Sequence, residues 1–353
     1  MSLSEDAILD QLKSVKYPGF SRDIVSFGLI KGLNIDGGRI GLRLAVTTAD
    51  KEIPKQLRRE VTAALKAVEG VEAVDAVIDV TEPTQAAMGA GSNQPTQQSI
   101  DGVQHVVAVA SGKGGVGKST VAANLALALA REGANVGLCD CDLYGPSVAL
   151  MFGTSERPFA SQDETRIIPI EAQGLKLMSM GFLTDDDTPA ILRGPMVTRY
   201  TQQFLRSVEW GQLDFLILDL PPGTGDIQLT IVQTVALAGA IIVTTPQEVA
   251  LIDARKASAM FSKVNVEVLG IVENMSYFLC PDNGQRYAIF GEGGGAREAE
   301  RLGVPLLAQV PLEMEVRHSG DAGKPMVLSH PESESAQAFA AAASKIYSGL
   351  RQC

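Results

Sequence analysis

The sequence is short of the residues that staple small folds. It has four cysteines in 353 residues, Cys139, Cys141, Cys280 and Cys353, and no two of them form a CxxC pair. That excludes a disulfide framework and, on spacing alone, a structural zinc site. A chain of this length buries enough core to fold without either. It also lacks any run of ~18 apolar residues, so no membrane span is expected. Positive charge is in deficit: 30 Lys+Arg stand against 41 Asp+Glu, for a formal net charge of −11. Both halves are acidic and no basic stripe survives, which argues against nucleic-acid backbone binding as the main activity. The opening MSLSEDAILD is acidic and polar where a signal peptide is basic and then apolar. The expected location is therefore cytoplasmic, a reducing compartment.

What remains is an ordinary globular composition, 45% hydrophobic and 20% charged, with length for about two domains at ~150 residues each. The 35 glycines exceed the average usage of ~7%. Residues 4–16 read as a short helix with Ser4 as N-cap and Ile8, Leu9, Leu12 and Val15 at helical spacing. Strands are expected over 24–34 and 39–47, turned by Gly37-Gly38. A helix over 54–69 opens with Pro54, and a strand covers 71–80. Residues 1–82 are thus a small α+β domain. Residues 83–101, rich in Pro, Gly, Ser, Gln and Asn, have the composition of a flexible linker.

From 102 to 353 the pattern changes. Near-continuous apolar runs (VQHVVAVA, NVGLCD, FLILDL, GAIIVTT, VLGIVEN) alternate with helical stretches. Such runs are strands buried on both faces, and the alternation predicts an α/β domain with a doubly wound, mostly parallel sheet. Between the first strand and its helix lies Ser111-Gly112-Lys113-Gly114-Gly115-Val116-Gly117-Lys118-Ser119-Thr120. This satisfies GxxxxGK[ST] in the strand–loop–helix context that a phosphate-binding loop requires. Glycines let backbone N–H groups face phosphate oxygens, and the helix adds its positive end. Lys118 is placed to neutralise the β- and γ-phosphates of ATP, and Ser119 to ligate Mg²⁺. The acid ending FLILDL, Asp219, has the position of a Walker-B aspartate. It is followed by the stiff turn Pro221-Pro222-Gly223-Thr224-Gly225-Asp226, suited to sensing a γ-phosphate. Asp140 and Asp142 end the strand NVGLCD, at the carboxyl edge that faces the ligand crevice in such sheets. Asp142 is the candidate for orienting the attacking water, with Asp140 supporting the Mg²⁺ shell. The alternative for each aspartate is a turn-forming role.

SGKGGVGKST, CDCDLYGPS, RGPMV, DLPPGTGD, TTPQEVAL and VENMSYF together resemble the Mrp/ApbC-type iron–sulfur cluster carrier ATPases. These share a deviant P-loop class with the nitrogenase iron protein and the partition ATPases. SVKYPGFSRDIVSFGLIKGLNI is similar to the metal–sulfur cluster assembly domain often fused at their N-terminus. The resemblance implies a homodimeric ATPase that holds an iron–sulfur cluster at the dimer interface and passes it to apoproteins, with cluster assembly factors as further partners. It implies that Lys113 reaches across the dimer to the partner's nucleotide; the alternative is a solvated loop charge. It implies that Asn274 contacts the adenine. Arg193-Gly194-Pro195 falls near the nucleotide-sensing loops. No nucleic acid or membrane partner is expected.

The sequence departs from this family at the cargo site. Members carry a CxxC pair soon after NMSYF, but here the text is Cys280-Pro281-Asp282-Asn283. Cys280 is retained and Asn283 stands where a second thiolate belongs. Two thiolates per dimer fall short of the four usual for a cluster, and an amide is a poor iron ligand. Of the other cysteines, Cys353 is expected to dangle. One of Cys139 and Cys141 is expected to pack as a small hydrophobe and the other near the phosphate pocket, with no metal role. In the N-terminal domain, Tyr17-Pro18-Gly19 and Thr47-Thr48-Ala49-Asp50-Lys51 replace an acidic motif and a cysteine-bearing one, although Asp23 is kept. This domain is therefore expected to dock or regulate and not to hold metal. Two rival readings follow: an ATP-gated scaffold without a stable cluster, and a partition-type ATPase. The tail SAQAFAAAASKIYSGLRQC bears Phe339, Ile346, Tyr347 and Leu350 on one face with only Lys345 and Arg351 as cations. That pattern favours packing on the protein body over membrane binding.

Overall fold

The structure, a computed structural model, describes residues 5–15, 24–25, 29–47, 52–68, 70–81, 97–142, 145–161, 166–179, 182 and 205–351. Tyr17-Pro18-Gly19, Asp23, Thr48 to Lys51, most of the 83–101 segment, Arg193-Gly194-Pro195 and Cys353 lie outside the described residues. The chain divides into two compact units, Met1–Asn93 and Gln94–Cys353.

The first unit contains α1 (Glu5–Leu12), β1 (Ile30–Asp36), β2 (Arg39–Thr47), α2 (Glu52–Lys66) and β3 (Ala73–Thr81). β1 and β2 form an antiparallel hairpin, turned where Gly37 takes φ +58°. β2 and β3 run parallel, so α2 is their crossover. Ile8, Leu12, Ile40, Leu42, Leu44, Leu57, Val61 and Leu65 make the core between helices and sheet. Two expectations shift. The first strand begins at Ile30, not at 24. The second helix begins two residues before Pro54, which then sits within its first turn. Proline is tolerated there because those N–H groups have no intrahelical acceptor.

The second unit is built on a nine-stranded sheet. Its strands are β4 (Val103–Ala110), β5 (Val136–Asp140), β8 (Ile170–Ala172), β9 (Leu175–Ser179), β10 (Leu213–Asp219), β11 (Gly239–Thr244), β12 (Val268–Leu279), β13 (Arg286–Tyr287) and β14 (Leu306–Leu312). A separate two-stranded ribbon joins β6 (Phe159–Ala160) to β7 (Ile167–Ile168). The large sheet has the order β13-β12-β11-β4-β10-β5-β9-β8, with β14 also on β12. It is parallel except at β8 and β13. The helices are α3 (Lys118–Arg131), α4 (Val148–Met151), α5 (Asp226–Thr234), α6 (Glu248–Lys263), α7 (Gly294–Leu302), α8 (Met314–Asp321), α9 (Met326–Ser329) and α10 (Glu334–Arg351).

The chain moves from β4 outward to β5 and β9, returns to β10, then crosses to β11 and β12. β4 therefore stands where the winding reverses, and a crevice opens at its carboxyl end. Alternate residues of the central strands enter two different cores. Val107, Val109, Leu138 and Ile217 pack with α3 and α10. Val106, Ala108, Cys139 and Leu218 pack with α5 and α6. β9 and β14 carry no continuous apolar run in the sequence, since Lys176 interrupts the first and Gln309 the second. The C-terminal helix does pack on the body: Phe339 and Ile346 are buried in the α3-side core, with Tyr347 and Leu350 against it. Phe339→Ala is expected to cost about 3–5 kcal/mol, measured by chemical denaturation of the full chain.

Candidate functional site

The loop from Ser111 to Gly117 connects β4 to α3 at that crevice. Gly117 occupies the N-cap of α3 at φ +76°, a left-handed conformation that glycine adopts without steric cost. A Cβ there would also collide with the Asn274 side chain. Gly112 is needed for another reason, because a Cβ would run into the Asp253 backbone of α6. The first turn of α3 has no acidic residue and no side-chain cap. Its N–H groups and dipole thus offer an anion site of the kind nucleotide phosphates use.

Lys118 opens α3, and its ammonium pairs with Asp219 Oδ1 at the end of β10. Both residues are buried, at 6% and 0% exposure. Lys118 Nζ also lies 3.3 Å from Ser119 Oγ. Burial pushes the Asp219 carboxyl up from its ordinary pKa, and the Lys118 ammonium pulls it back. The second oxygen, Asp219 Oδ2, is buried with no hydrogen-bond partner among the described residues. A buried anionic oxygen with open lone pairs, next to a serine hydroxyl, is a hard donor set that fits Mg²⁺.

Asp140 pairs with Asp219 in register across β5 and β10, and both point to the α3 side. Its carboxylate is filled by protein donors. Oδ1 accepts the Asp142 N–H at 3.0 Å, and Oδ2 accepts those of Ser147 at 2.9 Å and Val148 at 3.2 Å and the Ser179 hydroxyl at 3.2 Å. Asp140 thereby holds the segment that carries Asp142. Burial, followed by the charge of Asp219, raises its pKa to about 6 against those donors. Asp142 Oδ1 accepts the Gly145 N–H at 3.2 Å.

Asn274 is buried on β12 and its Nδ2 donates to the Val116 carbonyl at 2.9 Å. The following residue, Met275, takes φ +53°, and the β12–β14 register shifts between Asn274 and Phe278. This bulge re-aims the strand so that Asn274 faces the phosphate loop. Glu273, fully buried, fixes it from the other side. Its carboxylate accepts the Ser276 hydroxyl at 2.6 Å, the Gln309 amide at 2.9 Å and the Gly295 N–H at the start of α7. No sequence motif marked Glu273, since its partners come from three separate segments.

β12 ends at Leu279 and turns back into β13. Cys280, partly exposed, sits in that turn. Its N–H donates to the Gln285 carbonyl and its own carbonyl accepts the Gly284 N–H, each at 2.9 Å. Asn283 Oδ1 accepts the Gln285 N–H at 2.9 Å. The turn is thus closed by its own hydrogen bonds, with the Asn283 amide in the place of a second thiolate. Among the described residues no three His, Cys, Asp or Glu side chains group into a metal site. Cys139 and Cys141 correct an expectation. Both side chains pack in the core on the α5–α6 side, with sulfurs 3.9 Å apart, and neither faces the phosphate loop. Burial pushes the Cys139 thiol far above its ordinary pKa.

A glycine-rich loop on a topological switch point, an invading lysine and a strand-end aspartate define a P-loop NTPase. The family model of the NUBPL iron-transfer P-loop NTPases matches residues 102–347, and the chain belongs to that family. A second model, iron-sulfur cluster assembly protein, matches residues 5–76. Similar proteins include the iron-sulfur cluster carrier protein of Deinococcus radiodurans, 48% identical over 96% of this chain and 93% of that one. The protein of the same name from Synechocystis is 46% identical over 98% and 97%. Among solved structures, a nucleotide-binding protein from Archaeoglobus fulgidus in complex with ADP is 39% identical, with a TM-score of 0.57, over 64% of this chain and 88% of that one. The cell division ATPase MinD of Pyrococcus furiosus, at 24% identity and a TM-score of 0.53, shares the fold. The chain is a P-loop ATPase. No helix among the described residues is long and apolar enough to cross a membrane.

Two outcomes test the site. Lys118→Ala removes charge-assisted hydrogen bonds to phosphate and is expected to weaken ATP binding about 10–100-fold by calorimetry. It also leaves Asp219 buried and unpaired, at a cost of about 3–5 kcal/mol in nucleotide-free stability. The double variant Lys118→Ala with Asp219→Asn should regain most of that stability and none of the binding. For Asp140, folding raises the pKa, so between the unfolded value and about 6 the folded state holds the extra proton. Stability from this group is present at low pH and lost as pH rises through about 6. Wild type should therefore lose stability relative to Asp140→Asn as pH rises from 4 to 7, measured by chemical denaturation at each pH.

Proposed function

We propose that the chain is an ATP-hydrolysing iron–sulfur cluster carrier that works as a homodimer, takes its cluster as cargo at Cys280 and passes it to apoproteins. The observation that carries this reading is the one strand, β12, that presents Asn274 to the phosphate loop and Cys280 five residues past the Met275 bulge. The relatives named iron-sulfur cluster carrier proteins span nearly the whole chain and support it. Ser119 and Asp219 would hold Mg²⁺, which when bound would supply positive charge to offset that of the phosphates. Lys118 exchanges Asp219 for phosphate oxygens, and Asp142, braced by Asp140, orients the attacking water. Asn274 keeps the loop in shape and borders the adenine.

Support for the dimer comes from two features. Lys113 makes no ion pair among the described residues, as suits a side chain destined for a partner's nucleotide. On α6, whose backbone abuts Gly112, Val249 and Ile252 expose apolar surface at 65% and 43%. Residues 1–82 are read as a module that docks assembly factors, with 83–101 as its tether. No nucleic acid or membrane partner is proposed, in keeping with the net charge of −11.

Asn283 favours a second reading, an ATP-gated scaffold, because an amide is a poor iron ligand and its oxygen is committed to the Gln285 N–H. Anaerobic reconstitution with iron and sulfide separates the two. A carrier gains a coloured cluster that Cys280→Ser loses. A protein that stays colourless while hydrolysing ATP is a scaffold.

A further inference from the structure

The turn Pro221–Asp226 leads into α5, and Gln228 in the first turn of that helix is 1% exposed. Its Nε2 donates to the Pro221 carbonyl, seven residues back, so the side chain spans the whole turn. A carbonyl only accepts, which fixes the amide's orientation. Oε1 is thus the atom left over, and it is buried with no hydrogen-bond partner among the described residues. Buried amide oxygens seldom go unpaired. The same turn is tied to the phosphate loop. The Gly223 N–H donates to the Ser111 carbonyl at 3.0 Å, and the Ser111 hydroxyl donates to the Lys113 carbonyl at 2.9 Å. Just before the turn, the Leu220 N–H donates to the Val109 carbonyl at 3.0 Å. Gly223, at φ +96°, is the point where the turn bends over the loop. The tip itself, from Thr224 to Asp226, is exposed, and the N-cap Gly225 supplies no side-chain cap to α5.

We propose that Gln228 is a positioning residue for ATP hydrolysis. Its amide N–H sets the height of the Pro221–Asp226 turn over the phosphate loop. Its spare oxygen takes up an N–H of the turn when the turn closes on a γ-phosphate. The nucleotide-free and ADP states leave that oxygen unpaired and the ATP state satisfies it, so the residue makes turn closure conditional on the third phosphate. This rests on the chain being an ATPase and is independent of its cargo.

Two variants of the full chain test it, each assayed with Mg²⁺ and nucleotide. Gln228→Met keeps the length of the side chain and removes both hydrogen-bonding atoms. It should leave ADP affinity within about twofold of wild type, because ADP does not close the turn. Its kcat should fall about 10–100-fold, as for a misplaced reacting group, and its preference for a non-hydrolysable ATP analogue over ADP should collapse. Gln228→Glu places an acceptor against the Pro221 carbonyl when ionised, but when protonated it restores one donor and one acceptor. Its kcat relative to wild type should therefore be low at pH 8 and climb as pH falls towards 6. Wild-type kcat and analogue preference in folded Gln228→Met overturn the proposal, as does an equal loss of ADP and analogue affinity accompanied by a lowered melting temperature. Should Gln228→Met fail to fold, the Gln228→Glu profile decides alone, and a pH-independent ratio to wild type overturns it. A wild-type chain that hydrolyses no ATP would instead refute the ATPase reading itself.

Discussion

The site depends on a buried charge pair. Lys118 and Asp219 come from different elements, the start of α3 and the end of β10, and each is shielded from water. Neither charge is tolerable alone at that depth. Their mutual neutralisation therefore lets a lysine stand inside the phosphate loop before any phosphate arrives. On the proposed reading, phosphate oxygens would replace the carboxylate on Lys118, and Asp219 would be left as a donor for Mg²⁺. Asp219 has one oxygen without a partner among the described residues.

Around this pair the sheet gathers support from every neighbouring strand. β5 adds Asp140, whose oxygens are committed to backbone N–H groups of the segment that bears Asp142. β12 adds Asn274 on the Val116 carbonyl. The turn after β10 is tied to Ser111 through Gly223. The phosphate loop is thus held at Ser111 by the turn after β10 and at Val116 by β12, while β5 braces the segment that bears Asp142. A parallel sheet makes this possible, because all its central strands end on the same edge.

β12 joins the phosphate loop to the turn that bears Cys280. Glu273 locks one end of its bulge into α7 and β14, Met275 absorbs the bend, and Cys280 follows at the strand's exit. Asn283 closes the turn that carries Cys280 through a backbone hydrogen bond. In a CxxC turn that position is a thiolate. Here that position carries an amide that shapes the turn, and Cys280 is the thiol beside it.

The four cysteines, the acidic charge, the phosphate-loop motif, the strand-end aspartates and the doubly wound sheet were legible in the sequence. Each depends on local spacing or on residue type, which a linear reading preserves. The tail's apolar face was legible for the same reason, and α10 buries it. Other features had no local signature. Glu273, Gln228 and the committed oxygens of Asp140 draw much of their meaning from partners up to 39 positions away in the chain. The face on which Cys139 and Cys141 fall followed from the strand's parity against its neighbours, which sets them in the core opposite Asp140. By itself the sequence determined which chemistry the chain carries. Only the tertiary structure decided which oxygens remain free to use it, because hydrogen-bond saturation is a property of packed neighbours and not of residue types.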